Sequence, residues 1–293
     1  EGKWLNLFWV KAAFVFWFWC IISSAVSSFP LYSVSEAIIW FRFPLFAMAT
    51  AFWLATDKRL LYAMIILTAI GLLVMCGILL AEIIIVGQLG GRLSWPYGDK
   101  VPGGYLAKVG LPVLVILAAL AVSLKGRFAF QLTLITVFIL GMCLMTGERV
   151  NFLIALCSSG LAALMWKPIF ERCLALLITL VCFVSVLFFY FPLSASRFTS
   201  KLISGVTDLD NSVWAHTLNG GWRVAIENLG VGLGPANYRL IDPSYFEKFE
   251  WTNAQPHPHN YYLQLLAETG IVGFVLGTLF LWSIIWTCFK QIG

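Results

Sequence analysis

The sequence predicts an all-α fold: a polytopic transmembrane helix bundle of about eight helices, with one long, partly helical loop near its end. Three observations predict it. Of 293 residues, 60% are hydrophobic and 11% charged, against roughly 45–50% and about 25% in soluble domains. That excludes an ordinary soluble domain, and also a disordered chain, which needs low hydrophobicity and high charge. The apolar residues come in long continuous runs, not in the alternation of about ten residues that builds a transmembrane β-barrel. Aromatics reach 16%, with 13 Trp and 24 Phe, the rings that gather at the headgroup level of a bilayer.

A helix needs about 20 apolar residues to cross the hydrocarbon core. Runs of this kind cover 12–32, 37–56, 60–81, 105–124, 128–146, 150–166, 173–195 and 262–289. Lys11, Lys58 with Arg59, Lys125 with Arg127, Lys167 with Arg172, and Lys290 fall at alternate helix ends. Placing all of them in the cytoplasm gives one topology under the positive-inside rule. The turn at Ser33–Glu36, the loop 82–104, the tight turn Gly147–Arg149 and the loop 196–261 then face outward. The expected organisation is a bundle over 1–195 with short loops, an outer loop over 196–261, and a last transmembrane helix within 262–293. The chain lacks an initiator Met and a signal-peptide pattern, and is read as a piece of a longer protein. Its basic residues are scattered rather than gathered in a stripe, so no nucleic-acid partner is expected. Its seven cysteines lie in apolar runs without metal-ligand spacing, as small buried hydrophobes do.

The outer loop is where the pattern stops being generic. Connections above about 12–15 residues are uncommon unless functional or disordered. This one is not low-complexity, and it carries Trp214, Trp222, Tyr238, Tyr245, Phe246, Phe249 and Trp251, enough apolar surface to pack as a cap. Residues 211–229 can form an amphipathic helix, which Gly230, Gly232, Gly234 and Pro235 then break. That glycine run follows no β-strand, so a flexible turn is expected rather than a nucleotide fingerprint.

Three outward features could carry chemistry. Arg149 sits in a tight turn between two apolar helices, where it could anchor a phosphate, snorkel to the interface, or pair with Glu148. Arg223 lies on the amphipathic helix beside Trp222, placed either to bind an anion or to pair with Glu227 at i+4. Arg239, Arg197 and Lys201 are weaker candidates in the same loop. The third feature is the run Pro256-His257-Pro258-His259-Asn260, directly before a transmembrane helix. Pro258 excludes an earlier helix start, and His259 or Asn260 can cap the next one. Asn260, Gln264 and Glu268 then make a polar stripe, which inside a membrane faces the bundle interior or a wet cavity. His257 and His259 have no third ligand at suitable spacing for zinc. The nucleophile elbow and the phosphate-binding P-loop are both missing from the sequence. Arg42 and Glu82, charges within apolar runs, leave a transporter path as a second class of function, though no paired broken helices in matching halves support it.

His257-Pro258-His259-Asn260, followed by Tyr262-Leu263-Gln264 and Ala267-Glu268-Thr269-Gly270, resembles the signature of the bacterial O-antigen ligase and O-antigen polymerase superfamily. Trp222-Arg223 through Gly230-Val231-Gly232-Leu233-Gly234 resembles the preceding part of that pattern, and the resemblance extends over about 128–289. It implies a metal-independent, inverting glycosyltransferase of the GT-C type in the bacterial inner membrane, needing no cofactor, with its site facing the periplasm. The implied donor is a glycan on undecaprenyl diphosphate. The implied acceptor is a lipid A-core sugar for a ligase, the favoured reading, or another lipid-linked repeat unit for a polymerase. The family's two arginines and one histidine correspond to Arg149, Arg223 and His259, with His257, Asn260, Gln264 and Arg239 as expected substrate-binding residues. Elementary chemistry agrees. A departing diphosphate needs its charge neutralised, which arginines can do without a metal, and an acceptor hydroxyl needs a base such as His, whose ordinary pKa lies near 6.5.

Overall fold

The computed structural model describes residues 6–87, 92–97, 101–166, 168–207, 213–247 and 257–292. Phe249, Trp251, Pro256 and Lys167 lie outside the described residues, as do the side chains of Trp214 and Lys201. The helices are α1 (Phe8–Ala25), α2 (Pro30–Trp40), α3 (Arg42–Thr56), α4 (Lys58–Ile85), α5 (Val101–Gly104), α6 (Leu111–Ser123), α7 (Gly126–Met145), α8 (Arg149–Met165), α9 (Phe170–Tyr190), α10 (Pro192–Thr207), α11 (Val213–Glu227), α12 (Ser244–Glu247) and α13 (Tyr261–Ile292). There is no strand among the described residues.

Among the described residues, six stretches are long and apolar enough to cross a membrane: α1, the α2–α3 pair over Pro30–Leu54, α4, α7, α9 and α13. The chain is a multi-pass membrane protein. Two of the expected crossings take a modified form. The run 105–124 is a broken helix: α5 passes into a π-turn over Tyr105–Val109, and α6 leaves at 55°. Gly110 and the missing N–H of Pro112 in the first turn of α6 account for the bend. The run 150–166 becomes α8, apolar but only 17 residues long. Proline sets two further boundaries. Pro30 and Pro192 open α2 and α10, so the runs 12–32 and 173–195 stop before they do.

The chain divides into two compact units, Glu1–Asp57 with Gly205–Gly293, and Lys58–Ser204. In the first, α13 packs against α1 and α11. Trp9, Val10, Ala13, Met48 and Phe280 form one part of its core, and Phe16, Cys20, Ala37 and Leu265 another. Gly273 and Gly277, at small-xxx-small spacing, let α1 come close: a side chain at Gly273 would meet the Trp19 ring at 2.8 Å, and one at Gly277 the Phe16 ring at 3.1 Å. In the second unit, α4, α6, α7 and α8 bury Leu72, Leu79, Leu114, Ile139, Met142 and Phe152 around the π-turn.

Candidate functional site

The first unit holds most of the candidate residues. Its organising feature is a break in α13 at Gly270, whose backbone (φ 66°, ψ −173°) is open only to glycine. A break frees helical backbone groups, which must find other partners inside a membrane. The glycine run supplies them. Leu233 N–H donates to Ala267 O (3.0 Å), Gly234 N–H to Glu268 O (2.8 Å), and Ile271 N–H to Leu229 O (2.8 Å). Ser23 Oγ, from α1, donates to Val231 O (2.6 Å) and Glu268 O (3.2 Å). The expectation of a flexible turn at Gly230–Gly234 is therefore corrected. The run is pinned into the kink, and a Cβ at Gly232 or Gly270 would collide with Glu268 or Gly230 backbone.

Glu268 reinforces the same junction. It is 8% exposed. Its Oε2 accepts from Ala236 N–H (3.0 Å), its Oε1 from Gln264 Nε2 (3.1 Å), and it also accepts from the Tyr238 backbone. Ala236 takes a left-handed conformation (φ 63°) to make its bond. The predicted polar stripe thus works internally, tying α13 to the loop after α11. Burial pushes the neighbouring Tyr238 phenol up to about 12, with Glu268 as the smaller cause.

The start of α13 displays the histidines. Pro258 is buried against α11, where Gly221 permits contact: a Cβ on Gly221 would lie 2.5 Å from Pro258 Cβ and 2.8 Å from Leu263 Cδ2. With Pro258 anchored, His257 and His259 are both exposed, their ring centroids 4.2 Å apart. His259 sits in the left-handed region (φ 51°), a conformation that His adopts more readily than most residues and that recurs at functional sites. Asn260 Oδ1 accepts from Leu263 N–H (3.1 Å), which makes Asn260 the cap of α13. It fixes the helix start from which His259 projects.

The helix expected over 211–229 is α11. Thr217, Gly220, Gly221, Val224 and Ala225 are buried, and Trp222, Arg223, Ile226 and Glu227 exposed. Arg223 follows Gly221 by two residues, about 200° round the helix, so it points away from Pro258. It lines a surface groove with Asn219, Trp222, Ile226 and Glu227. Tyr245 Oη donates to Glu227 Oε2 across 2.7 Å. Burial and that carboxylate raise the Tyr245 pKa, while nearby Arg223 works the other way. Arg239 and Gln264 line a different hollow, of about 190 Å³, together with Glu268.

Arg149 belongs to the second unit, in the first turn of α8. The turn before it needs Gly147 (φ 72°). Glu148 forms an ion pair with Arg92 at 3.1 Å. Arg149 lines a small crevice with Gly147, Ser194 and Arg197. The Nε atoms of Arg92 and Arg197 lie 3.5 and 3.8 Å from where a Gly147 side chain would begin. Leu93 N–H donates to Met145 O (3.0 Å) and Ser94 N–H to Glu82 Oε1 (3.1 Å), which brings Arg92 to this corner. Three arginines against Glu148 and the buried Glu82 make the corner cationic. Sequence reasoning passed over Arg92. The signal available was only a basic residue in an outward connection.

Residues 134–277 match the family model described as O-antigen ligase. No curated protein and no solved structure matches the chain.

Proposed function

From the premise that this chain belongs to the O-antigen ligase family over residues 134–277, we propose that it is the ligase itself, a glycosyltransferase of the bacterial inner membrane acting at the periplasmic face. The observation that carries the reading is His259. Held in a left-handed backbone between the anchored Pro258 and the capping Asn260, it is displayed at the start of an apolar helix within the matched region. In the proposed reaction a hydroxyl oxygen of a lipid A-core sugar attacks the anomeric carbon of a glycan carried on undecaprenyl diphosphate. The new C–O bond forms as the bond to the diphosphate breaks, with inversion. The diphosphate leaves with the electron pair, and the hydroxyl proton passes to His259. Arg149 and Arg223 offset the charge that develops on the leaving group, so no metal or cofactor is required. His257, Asn260, Gln264 and Arg239 contact the substrates. Residues 1–195 and 262–293 supply the GT-C type membrane bundle, and 196–261 the periplasmic loop.

The test is complementation by the full-length protein in two strains, one lacking its O-antigen ligase and one its O-antigen polymerase, read on stained lipopolysaccharide gels. A ladder restored in the first strain supports ligation. Conversion of single repeats to a ladder in the second strain alone would make the protein a polymerase. Rescue of the first strain by a His259→Ala protein would remove the proposed base, and with it this mechanism.

A further inference from the structure

The hollow that Arg239 and Gln264 share has an unusual wall for a space between apolar helices. It is built by α1, the α2–α3 pair, the Pro235–Arg239 segment and the start of α13. Its acidic and basic side chains are Glu36, Arg42, Arg239 and Glu268, with the Gln264 amide beside them. Flat apolar surfaces come from Trp40 and Tyr261, and from Phe16 and Phe43. Polar and ionisable side chains within apolar spans are expensive and ordinarily serve a ligand or a path.

The lining selects among ligand classes. Two arginines face two glutamates, so the charges balance and a phosphate gains little net attraction. The arginine corner around Gly147 differs in this respect, with its cationic excess. A hydrocarbon tail would satisfy none of the polar groups and would leave them unpaired. A neutral polyhydroxylated ring suits both halves of the lining. Each hydroxyl both donates and accepts, which matches guanidinium, amide and carboxylate partners, while the apolar ring face can lie on an aromatic side chain. The site is held firm beneath, because Glu268 is fixed by Ala236 N–H and Gln264. We propose that this hollow binds a neutral sugar ring of the glycan substrate. The proposal rests on the glycosyl-transfer reading above and goes further, giving the sugar a place of its own.

Saturation-transfer NMR on the full-length protein in detergent micelles tests it. Three probes are used: lipid-free core oligosaccharide, lipid-free O-antigen repeat oligosaccharide, and inorganic pyrophosphate. The expected result is transfer to one of the sugars, weakened at least fivefold in both Glu36→Ala and Trp40→Leu, with pyrophosphate failing to compete. The core oligosaccharide responding would assign the hollow to the acceptor, and the repeat oligosaccharide to the donor. Trp40 packs edge-on against Phe16 and Phe280, so Glu36→Ala, at a half-buried position, decides the matter if Trp40→Leu fails to fold. A transfer assay on the same wild-type preparation separates the two ideas. Product formation with sugar signals unchanged by the variants would overturn the sugar site and leave the enzyme reading standing. Competition by pyrophosphate would make the hollow an anion site. Neither product nor sugar signal would remove both.

Discussion

The junction at Glu268 yields a graded prediction. Replacing Glu268 by Ala removes the acceptor for Ala236 N–H (3.0 Å), for the Tyr238 backbone, and for Gln264 Nε2 (3.1 Å). Leaving a buried donor unsatisfied costs about 1–3 kcal/mol. Two buried backbone donors therefore set the loss at about 2–6 kcal/mol, since the Gln264 amide can turn toward another partner. Glu268→Gln behaves differently. Its carbonyl oxygen can still face Ala236, and its NH₂ can meet the Gln264 carbonyl after a flip of that amide, so the cost stays under about 1 kcal/mol. Intrinsic-fluorescence thermal unfolding in micelles reads both variants, with a shift of roughly 2–4 °C per kcal/mol. The expected fall is about 4–24 °C for Ala and less than about 4 °C for Gln. A fall for Ala as small as that expected for Gln would show that the carboxyl is not needed as an acceptor, and would refute the account of how the glycine run is held.

Two further predictions follow from the same unit. Gly270→Ala places a Cβ against Gly230 O in a backbone region closed to alanine, which costs several kcal/mol. Its melting temperature should fall further than that of Gly277→Ala, where the Cβ meets only side chains, and a smaller fall would contradict the kink. The second concerns Asp242, whose carboxyl accepts from Ser244 N–H (2.8 Å) and is thereby held below the usual carboxylate range. A depressed folded value contributes stability above the unfolded pKa near 3.9 and loses it as the pH falls through the folded one. Amide-exchange protection of Ser244–Glu247 should therefore fall on acidification through that range, and Asp242→Asn should flatten the dependence. Protection that falls equally in both proteins would exclude Asp242 as the cause.

The membrane character and the helix order were legible because the apolar runs exceed what any soluble fold would bury. Helix breaks were less legible. Phe41, Gly110 and Phe191 interrupt long apolar stretches, and the local marks were single residues beside them: Arg42 and Pro44, Pro112, and Pro192. The polar stripe Asn260–Gln264–Glu268 was visible from its four-residue period, but its use was not. Gln264 bonds to Glu268, and Glu268 bonds in turn to Ala236, 32 residues earlier in the chain, a relation that periodicity along one helix cannot carry. The glycine run misled for a related reason. Glycines that permit close backbone approach and glycines that permit motion have the same composition. Arg92 was invisible because its place beside Gly147 depends on the backbone bond of Leu93 to Met145.

The measurement that bears most directly on the central claim is transfer by the purified full-length protein in micelles, given an undecaprenyl-diphosphate-linked glycan and lipid A-core, with EDTA present. The account predicts a glycosylated lipid A-core product and stoichiometric release of undecaprenyl diphosphate. It also predicts loss of both in His259→Ala, Arg223→Ala and Arg149→Ala proteins that melt like the wild type. Wild-type product formed at an undiminished rate by the folded Arg223→Ala and His259→Ala proteins would contradict it.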